Sequence, residues 1–190
     1  MRLKKINASL GLLSILLGLI HLCYSVVSYL FFFYNPLLKN LTAYPFMVTV
    51  CLHAVLGMMS VFLLKDGTRL NMYPAQNRGT IIQRVSAALM IPLLILHINT
   101  FNLINKSAAA GNIIAFILLV IAQVGFFGVV LSHISVSFTR GLLTLGMITS
   151  VETRDRIDRV VYVVNGILFV IASFVVTKGD ISLYMMAGGQ

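Results

Sequence analysis

The sequence predicts an all-α integral membrane protein, a bundle of five transmembrane helices. Three observations predict it. First, 59% of the residues are hydrophobic and 10% are charged, against about 45–50% and about 25% in soluble domains. Second, five stretches are apolar for long enough to cross a bilayer, which takes about 20 residues each. Third, short polar connectors separate these stretches, and Lys and Arg gather on alternate connectors. Residues 1–190 read as one domain, with no internal repeat, low-complexity tract or soluble module.

The first span covers about 8–33. The start, "MRLKK" before an apolar run, imitates a signal peptide. The run continues too far and no A-x-A site closes it, so it reads as a helix that stays in the membrane. The second span, about 44–64, follows the connector "YNPLLKNLTA". The third, about 81–104, follows "KDGTRLNMYPAQNRGT" and contains Pro92. A kink is expected there, tolerated because neighbouring helices re-satisfy the freed backbone group. The fourth, about 111–138, follows "NKSAAAG". The fifth, about 160–177, follows "TRGLLTLGMITSVETRDRID". That last connector mixes Leu142, Leu143, Leu145, Met147 and Ile148 with a charged run, the pattern of an amphipathic interfacial segment. Gly11, Gly18, Gly57, Gly125, Gly128 and Gly166 lie within the spans, where small residues permit close helix approach.

The distribution of positive charge sets orientation. Arg2, Lys4 and Lys5 begin the chain, Lys65, Arg69 and Arg78 occupy the second connector, and Arg140, Arg154, Arg156 and Arg159 the fourth. The other side has Lys39, Lys106 and Lys178. The positive-inside rule then places the N-terminus in the cytoplasm and the C-terminus outside. The expected location is the inner (cytoplasmic) membrane of a cell, crossed several times. The formal net charge of +9 thus reads as topology, with membrane lipid and no nucleic acid as partner. All five carboxylates are expected outside the spans: Asp66, Glu152, Asp155 and Asp158 on the inner side and Asp180 on the outer. Cys23 and Cys51 fall in apolar spans, and no C-x-x-C, C-x-x-C-H, G-x-G-x-x-G or P-loop pattern occurs. Zinc ribbons, covalent haem attachment and a nucleotide site are therefore not indicated.

The main functional clue is the placement of histidine. The chain has four, His21, His53, His97 and His133, one on each of the first four spans. Ionisable residues in a span are costly and read by default as functional. Zinc or copper usually wants three or four converging ligands. A b-type haem wants two axial ligands from facing helices across an apolar slot. Depth arranges the four into pairs. At about 1.5 Å per residue, His21 lies roughly 20 Å and His97 roughly 24 Å from their inner helix ends. By the same rise, His53 lies roughly 18 Å and His133 roughly 10 Å from theirs. Pairing by depth joins His21 with His97 and His53 with His133. The four then fit two haems stacked across the membrane, with Lys65, Arg84 and Arg140 as candidate propionate partners for the inner one.

Three features resemble the dihaem cytochrome b membrane anchor of succinate:quinone oxidoreductases and fumarate reductases, the complex II family. Four histidines lie on the first four of five spans. "HISVSFTRGLLTLG" (133–146) is similar to the family stretch in which a haem-ligand His precedes a Phe and a Thr-Leu-Gly, here Phe138, Thr144, Leu145 and Gly146. "QRVSAALMIPLLILH" (83–97) is similar to the Arg–Ser stretch that opens a haem-bearing helix. The chain departs from the family in its tight outer loops and in Val136-Ser137-Phe138-Thr139, where many members are aromatic-rich.

The resemblance implies two b haems, the one held by His53 and His133 nearer a cytoplasmic dehydrogenase and the one held by His21 and His97 distal to it. It implies a flavoprotein subunit and an iron–sulfur subunit as cytoplasmic partners. The expected function is an anchor that passes electrons between succinate dehydrogenase or fumarate reductase and a membrane quinone, menaquinone or ubiquinone. The dicarboxylate site lies outside this chain. Quinone chemistry needs hydrogen-bond donors and a proton source. Gln83, Arg84 and Ser86 are the candidates on the inner side, and Asn99, Asn102 and Lys106 on the outer. Two alternatives stay open at this point: another dihaem cytochrome b, either a b561-like transmembrane reductase or the anchor of another respiratory oxidoreductase, and a haem-free membrane scaffold.

Overall fold

The computed structural model of the chain describes residues 2–63 and 74–188, the backbone alone for 74–76. It consists of five helices: α1 (Arg2–Phe31), α2 (Pro36–Phe62), α3 (Pro74–Ala109), α4 (Ile113–Leu145) and α5 (Val151–Gly188). Each is long and apolar enough to cross a membrane. Large apolar side chains such as Leu16, Leu52, Ile95, Ile121 and Val170 point outward, which is the expected arrangement where the surrounding medium is hydrocarbon.

Local chemistry sets the boundaries. α1 stops at Phe32, which takes a left-handed φ of 52°. α2 starts because Asn35 caps it: its side-chain oxygen accepts from the Leu37 and Leu38 amides at 3.0 and 3.1 Å, and Pro36 occupies the first helical position, where its missing N–H costs nothing. The Tyr24 hydroxyl donates to the Asn35 carbonyl at 2.9 Å and pins the turn to α1. Gly111, at φ 62°, turns the chain out of α3, and Asn112 caps α4 through the Ala115 amide. α4 ends on Gly146 at φ 78°, with the Met147 amide bonded to the Leu142 carbonyl, a glycine-terminated Schellman arrangement. Ser150 then caps α5 through the Thr153 amide.

α3 and α5 outrun their predicted spans at both ends, α1 and α2 at their starts and α4 at its end, and the connectors shrink. The stretch 139–159, expected as one interfacial segment, is the last turns of α4, a short link and the first turns of α5. The reason is capping: Gly146 and Ser150 close two helices within five residues and leave little chain to lie on a surface. α3 runs unbroken through Pro92 and α2 through Pro45.

Consecutive helices are antiparallel, as their cross-links record: Asn7 meets His53 and His21 meets Thr42, Gln83 meets Arg140 and His97 meets Gln123, Ser135 meets Asn165 and Thr139 meets Asp158. One end of the bundle therefore collects Arg2, Lys4, Lys5, Arg78, Arg84, Arg140, Arg154, Arg156 and Arg159; we call it the basic end. Lys39, Lys106 and Lys178 mark the opposite end.

Packing is uneven. The buried apolar residues within helices, Ile104, Ala108, Phe116, Phe126, Ala172 and Val175, come from α3, α4 and α5. α2 buries none of its residues and α1 only Ser14. α1 packs on α2, α4 and α5, whereas among the described residues α2 packs broadly only on α1. The α1–α2 hairpin thus leans on the α3–α4–α5 unit through α1 and stands open along the α2–α3 edge.

Asp180 departs from the expected placement of the carboxylates. α5 continues past 177 to Gly188 and packs Gly179 on the Tyr29 ring of α1. That continuation carries Asp180 into the interior, where it is 0% exposed. Glu152, Asp155 and Asp158 lie on the first turns of α5 at the basic end, and Asp66 falls outside the described residues.

Candidate metal centres

The four histidines converge in two layers. His53 on α2 and His133 on α4 face one another, with ring centroids 6.5 Å apart and planes at 75°. Their helices do not pack broadly on each other, so the rings meet across a slot. Metal–imidazole bonds of about 2.0 Å on each side of one ion place two ring centroids about 6.4 Å apart. The observed spacing fits an iron with two axial imidazoles. His21 on α1 and His97 on α3 are electrostatic neighbours toward the opposite end. His21 stacks on Phe46 and His97 on Phe126, with Phe127 edge-on, which walls this layer with aromatic surface.

The hydrogen bonds assign the proton on each ring. His53 Nδ1 lies 3.0 Å from the Asn7 carbonyl, and His133 Nδ1 lies 3.1 Å from the Gln83 carbonyl. A carbonyl only accepts, so Nδ1 carries the hydrogen in both. The Ser86 hydroxyl donates to the Ile82 carbonyl at 2.6 Å, leaving its oxygen to accept from His133 at 3.0 Å. His97 Nδ1 donates to Gln123 Oε1 at 2.7 Å. The Gln123 amide nitrogen donates to the Thr100 hydroxyl, and that hydroxyl donates to the Leu96 carbonyl at 2.9 Å. With the amide in this orientation every member of the buried chain has a consistent role. His21 Nδ1 meets the Thr42 hydroxyl at 3.3 Å, whose own hydrogen goes to the Leu38 or Lys39 carbonyl.

His53 and His133 are thus fixed as Nδ1–H tautomers by main-chain acceptors, and His21 and His97 take the same tautomer when the Thr42 hydroxyl and the Gln123 carbonyl oxygen accept from them. No Nε2 has a hydrogen-bond partner among the described residues. This is the arrangement of metal-ligating imidazole, whose second nitrogen is held by a carbonyl, amide or hydroxyl. Gly11 completes the layer at the basic end. A Cβ there would lie 3.0 Å from His53 Cε1, so the glycine lets the ring pack closely against α1. Among the described residues no three or more of His, Cys, Asp and Glu converge; the chemistry offered is paired imidazole, as an iron porphyrin requires.

Of the propionate candidates, Arg140 reaches across α3, where Gly79 leaves room for it. Its guanidinium donates to Thr80 Oγ1 and Gln83 Oε1, both at 3.0 Å. Gln83 thus holds Arg140 with its side chain and His133 with its main chain. Arg84 is half-buried one residue further along α3, and Lys65 lies outside the described residues. Of the quinone candidates, Gln83 and Ser86 are brought together with Arg140 around His133. Asn99 and Asn102 are not brought to His97: both are exposed on the other face of α3, and Asn99 bonds its own helix at the Ile95 carbonyl. Lys106 lines an open groove of about 450 Å³ between α3 and α4 with Ser107, Asn112 and apolar Leu96, Leu103 and Leu118.

Sequence reasoning passed over the residues that hold the histidines: Asn7, Thr42, Thr100 and Gln123. Gln123 carried a signal, being an amide in the most apolar span of the chain. The main-chain acceptors at Asn7 and Gln83 carried none, because a carbonyl has no residue type.

No family model matches the chain, and neither the curated proteins nor the solved structures include a match to it.

Proposed function

We propose that the chain is the membrane anchor and electron-transfer subunit of a succinate dehydrogenase or fumarate reductase, carrying two b haems between that enzyme and membrane quinone. The observation that carries the proposal is the uniform chemistry of the four imidazoles. Each has Nδ1 engaged by a hydrogen-bonding group, with Nδ1–H fixed by a carbonyl at His53 and His133, and those two rings stand at the spacing one iron sets.

Bound haem supplies one-electron transfer. His53 and His133 hold the haem at the basic end, and His21 and His97 hold the other. Asn7, Gln83 and Ser86 fix the first two rings, and Gln123 and Thr42 the second two. Arg140 and Arg84 set positive charge beside the basic-end pair, where anionic propionates need it. The basic end faces the cytoplasm by the positive-inside rule. The charged first turns of α5, Glu152 to Arg159, stand there as the surface for the iron–sulfur subunit. The quinone reading moves from Asn99 and Asn102 to the groove at Lys106, where an ammonium, the Ser107 hydroxyl and the Asn112 amide edge an apolar wall. Gln83 and Ser86 are already engaged around His133, which makes the inner side a weaker quinone site.

The test is an optical spectrum of the gently purified chain. Two low-spin haems with sharp reduced bands are expected, together with co-purifying flavoprotein and iron–sulfur subunits. A protein without haem bands sinks the proposal, and haem bands without either subunit favour another dihaem cytochrome b. Quinone turnover in Lys106→Ala, compared with Arg84→Ala at unchanged haem content, decides between the two sides.

A further inference from the structure

The seam between α3 and α4 opens outward in its basic half. A groove of about 460 Å³ lies there, walled by Ile81, Ile82, Val85 and Leu89 of α3 and by Gly125 and Gly128 of α4. Ile81, Val85 and Leu89 are exposed along it, so it faces the surrounding hydrocarbon. The glycines leave the space: a Cβ at Gly125 would meet nothing within 4 Å, while at Gly128 the Phe169 ring of α5 stands alongside. At 1.5 Å per residue the α3 wall, 81–89, is about 12 Å long. One leaflet of a hydrocarbon core of about 30 Å is about 15 Å deep, so an acyl chain lying along this wall stays within its own leaflet.

The mouth of the groove is cationic. Arg78 lies three and four residues before Ile81 and Ile82, which puts it on the same stripe of α3, toward the basic end. It is exposed, and it makes no hydrogen bond or ion pair among the described residues. Arg140 lies against Gly79 next to it. Neither α3 nor α4 carries an Asp or Glu. On α5, Asp155 is paired with Arg154, and Asp158 accepts from Thr139. Positive charge at the rim of an apolar groove is the complement of an anionic headgroup above an acyl chain. A second copy of the chain is a poor occupant, because two copies in one membrane share an orientation and bring basic end against basic end.

We propose that this groove is the site of one anionic phospholipid. Its phosphate and headgroup charge face Arg78, and one acyl chain lies between the α3 wall and Gly125 and Gly128. Neither Arg78 nor the groove depends on bound haem. Ser86 belongs to the same wall, and its hydroxyl donates to the Ile82 carbonyl and accepts from His133. A chain in the groove keeps water from that hydroxyl on the lipid side. The expected preference is modest: one basic side chain near an anionic lipid surface is worth about fivefold in affinity.

The experiment uses the full chain, delipidated in detergent, as wild type, Arg78→Gln and Gly125→Leu. Phosphatidylglycerol and phosphatidylcholine are titrated separately, with glycerol phosphate as an anion without tails, and native mass spectrometry counts what is retained. Wild type should hold one phosphatidylglycerol about fivefold more tightly than phosphatidylcholine, and no glycerol phosphate. Arg78→Gln should lower phosphatidylglycerol to the level of phosphatidylcholine. Gly125→Leu, which fills the groove, should abolish retention of both. Phosphatidylglycerol with a diazirine in its acyl chain should label residues 81–89 and 125–132 of the wild type, which decides the site even if Gly125→Leu does not fold. Equal retention of the two lipids, an unchanged preference in Arg78→Gln, or glycerol phosphate held as tightly as the lipid overturns the proposal. So do labels spread evenly over the five helices, or a groove that cross-links to a second polypeptide instead of lipid.

Discussion

Gln123→Leu isolates the contribution of one buried amide. In the wild type, Gln123 is 2% exposed, accepts from His97 Nδ1 at 2.7 Å and donates to the Thr100 hydroxyl. Leucine fills nearly the same volume, so the change removes hydrogen bonding without opening a cavity. Thr100 keeps its own bond to the Leu96 carbonyl and loses only a donor. His97 loses the acceptor of its Nδ1–H, and a buried donor left unsatisfied costs about 1–3 kcal/mol. An independent estimate comes from metal sites, where deleting the group that holds a ligating His lowers affinity about 10–100-fold. At about 1.4 kcal/mol per tenfold, the two ranges coincide. The ring also loses its enforced tautomer, so part of the population turns Nδ1 rather than Nε2 toward the iron. The assay is haem titration of the purified variant, followed by the reduced spectrum. The His21–His97 haem should bind about 10–100-fold more weakly, while the His53–His133 haem binds as before. Gln123→Glu, which restores an acceptor, should recover binding. Equal affinity at both sites in Gln123→Leu, or loss at the His53–His133 site first, refutes the reasoning.

The remaining predictions use the same protein and spectrum. His53→Ala and His133→Ala should each abolish one and the same haem, and His21→Ala and His97→Ala the other; a His21 variant that loses the haem lost in His133→Ala breaks the pairing. Gly11→Ala puts a methyl 3.0 Å from His53 Cε1, so the ring must shift by a few tenths of an ångström; weakened haem binding at the basic end alone is expected, and Gly11→Val should abolish it. Arg140→Ala removes two charge-assisted bonds to α3, each worth about 1.5–3 kcal/mol when well shielded. Because Arg140 is half-buried, a loss near the low end is expected in detergent unfolding, with a lowered potential at the His53–His133 haem. A cross-linker placed at Arg154 or Arg156 should capture the iron–sulfur subunit; capture of lipid alone counts against the docking surface.

The sequence carried the class of the fold and most of its architecture because hydrocarbon imposes one rule on every span: apolar side chains outside and backbone bonds closed within. It placed the ends of the helices poorly for the same reason. Hydropathy falls where the membrane ends, whereas a helix ends where a cap stops it, and Asn35, Asn112, Gly146 and Ser150 are chemical signals rather than hydropathic ones. The proximity of the His53 and His133 rings, 6.5 Å apart, was only partly legible through depth, because about 18 Å and about 10 Å from the helix ends are a poor match. The supports were not. Asn99 and Asn102 follow His97 closely in sequence but turn to the other face of α3, while Thr100, three residues on, shares the face of His97, as the helical period requires. Asp180 was misplaced because three residues beyond the apolar window of α5 look like surface until Gly179 is seen to pack on Tyr29.

The two imidazole layers differ in how they respond to mutation. At the basic end His53 and His133 lean on the carbonyls of Asn7 and Gln83. No codon change deletes a carbonyl, and replacing Ser86 still leaves His133 the one at Gln83. At the other end His21 and His97 lean on the side chains of Thr42 and Gln123. A single nucleotide change turns a glutamine codon into a glutamate codon, and the neutral acceptor becomes an anionic one. Lineages descending from this chain can therefore retune the far layer in one step. The hydrogen bonds at the basic end are buffered against the same drift, and variation there must act through steric contacts such as Gly11 on His53 or by moving a helix.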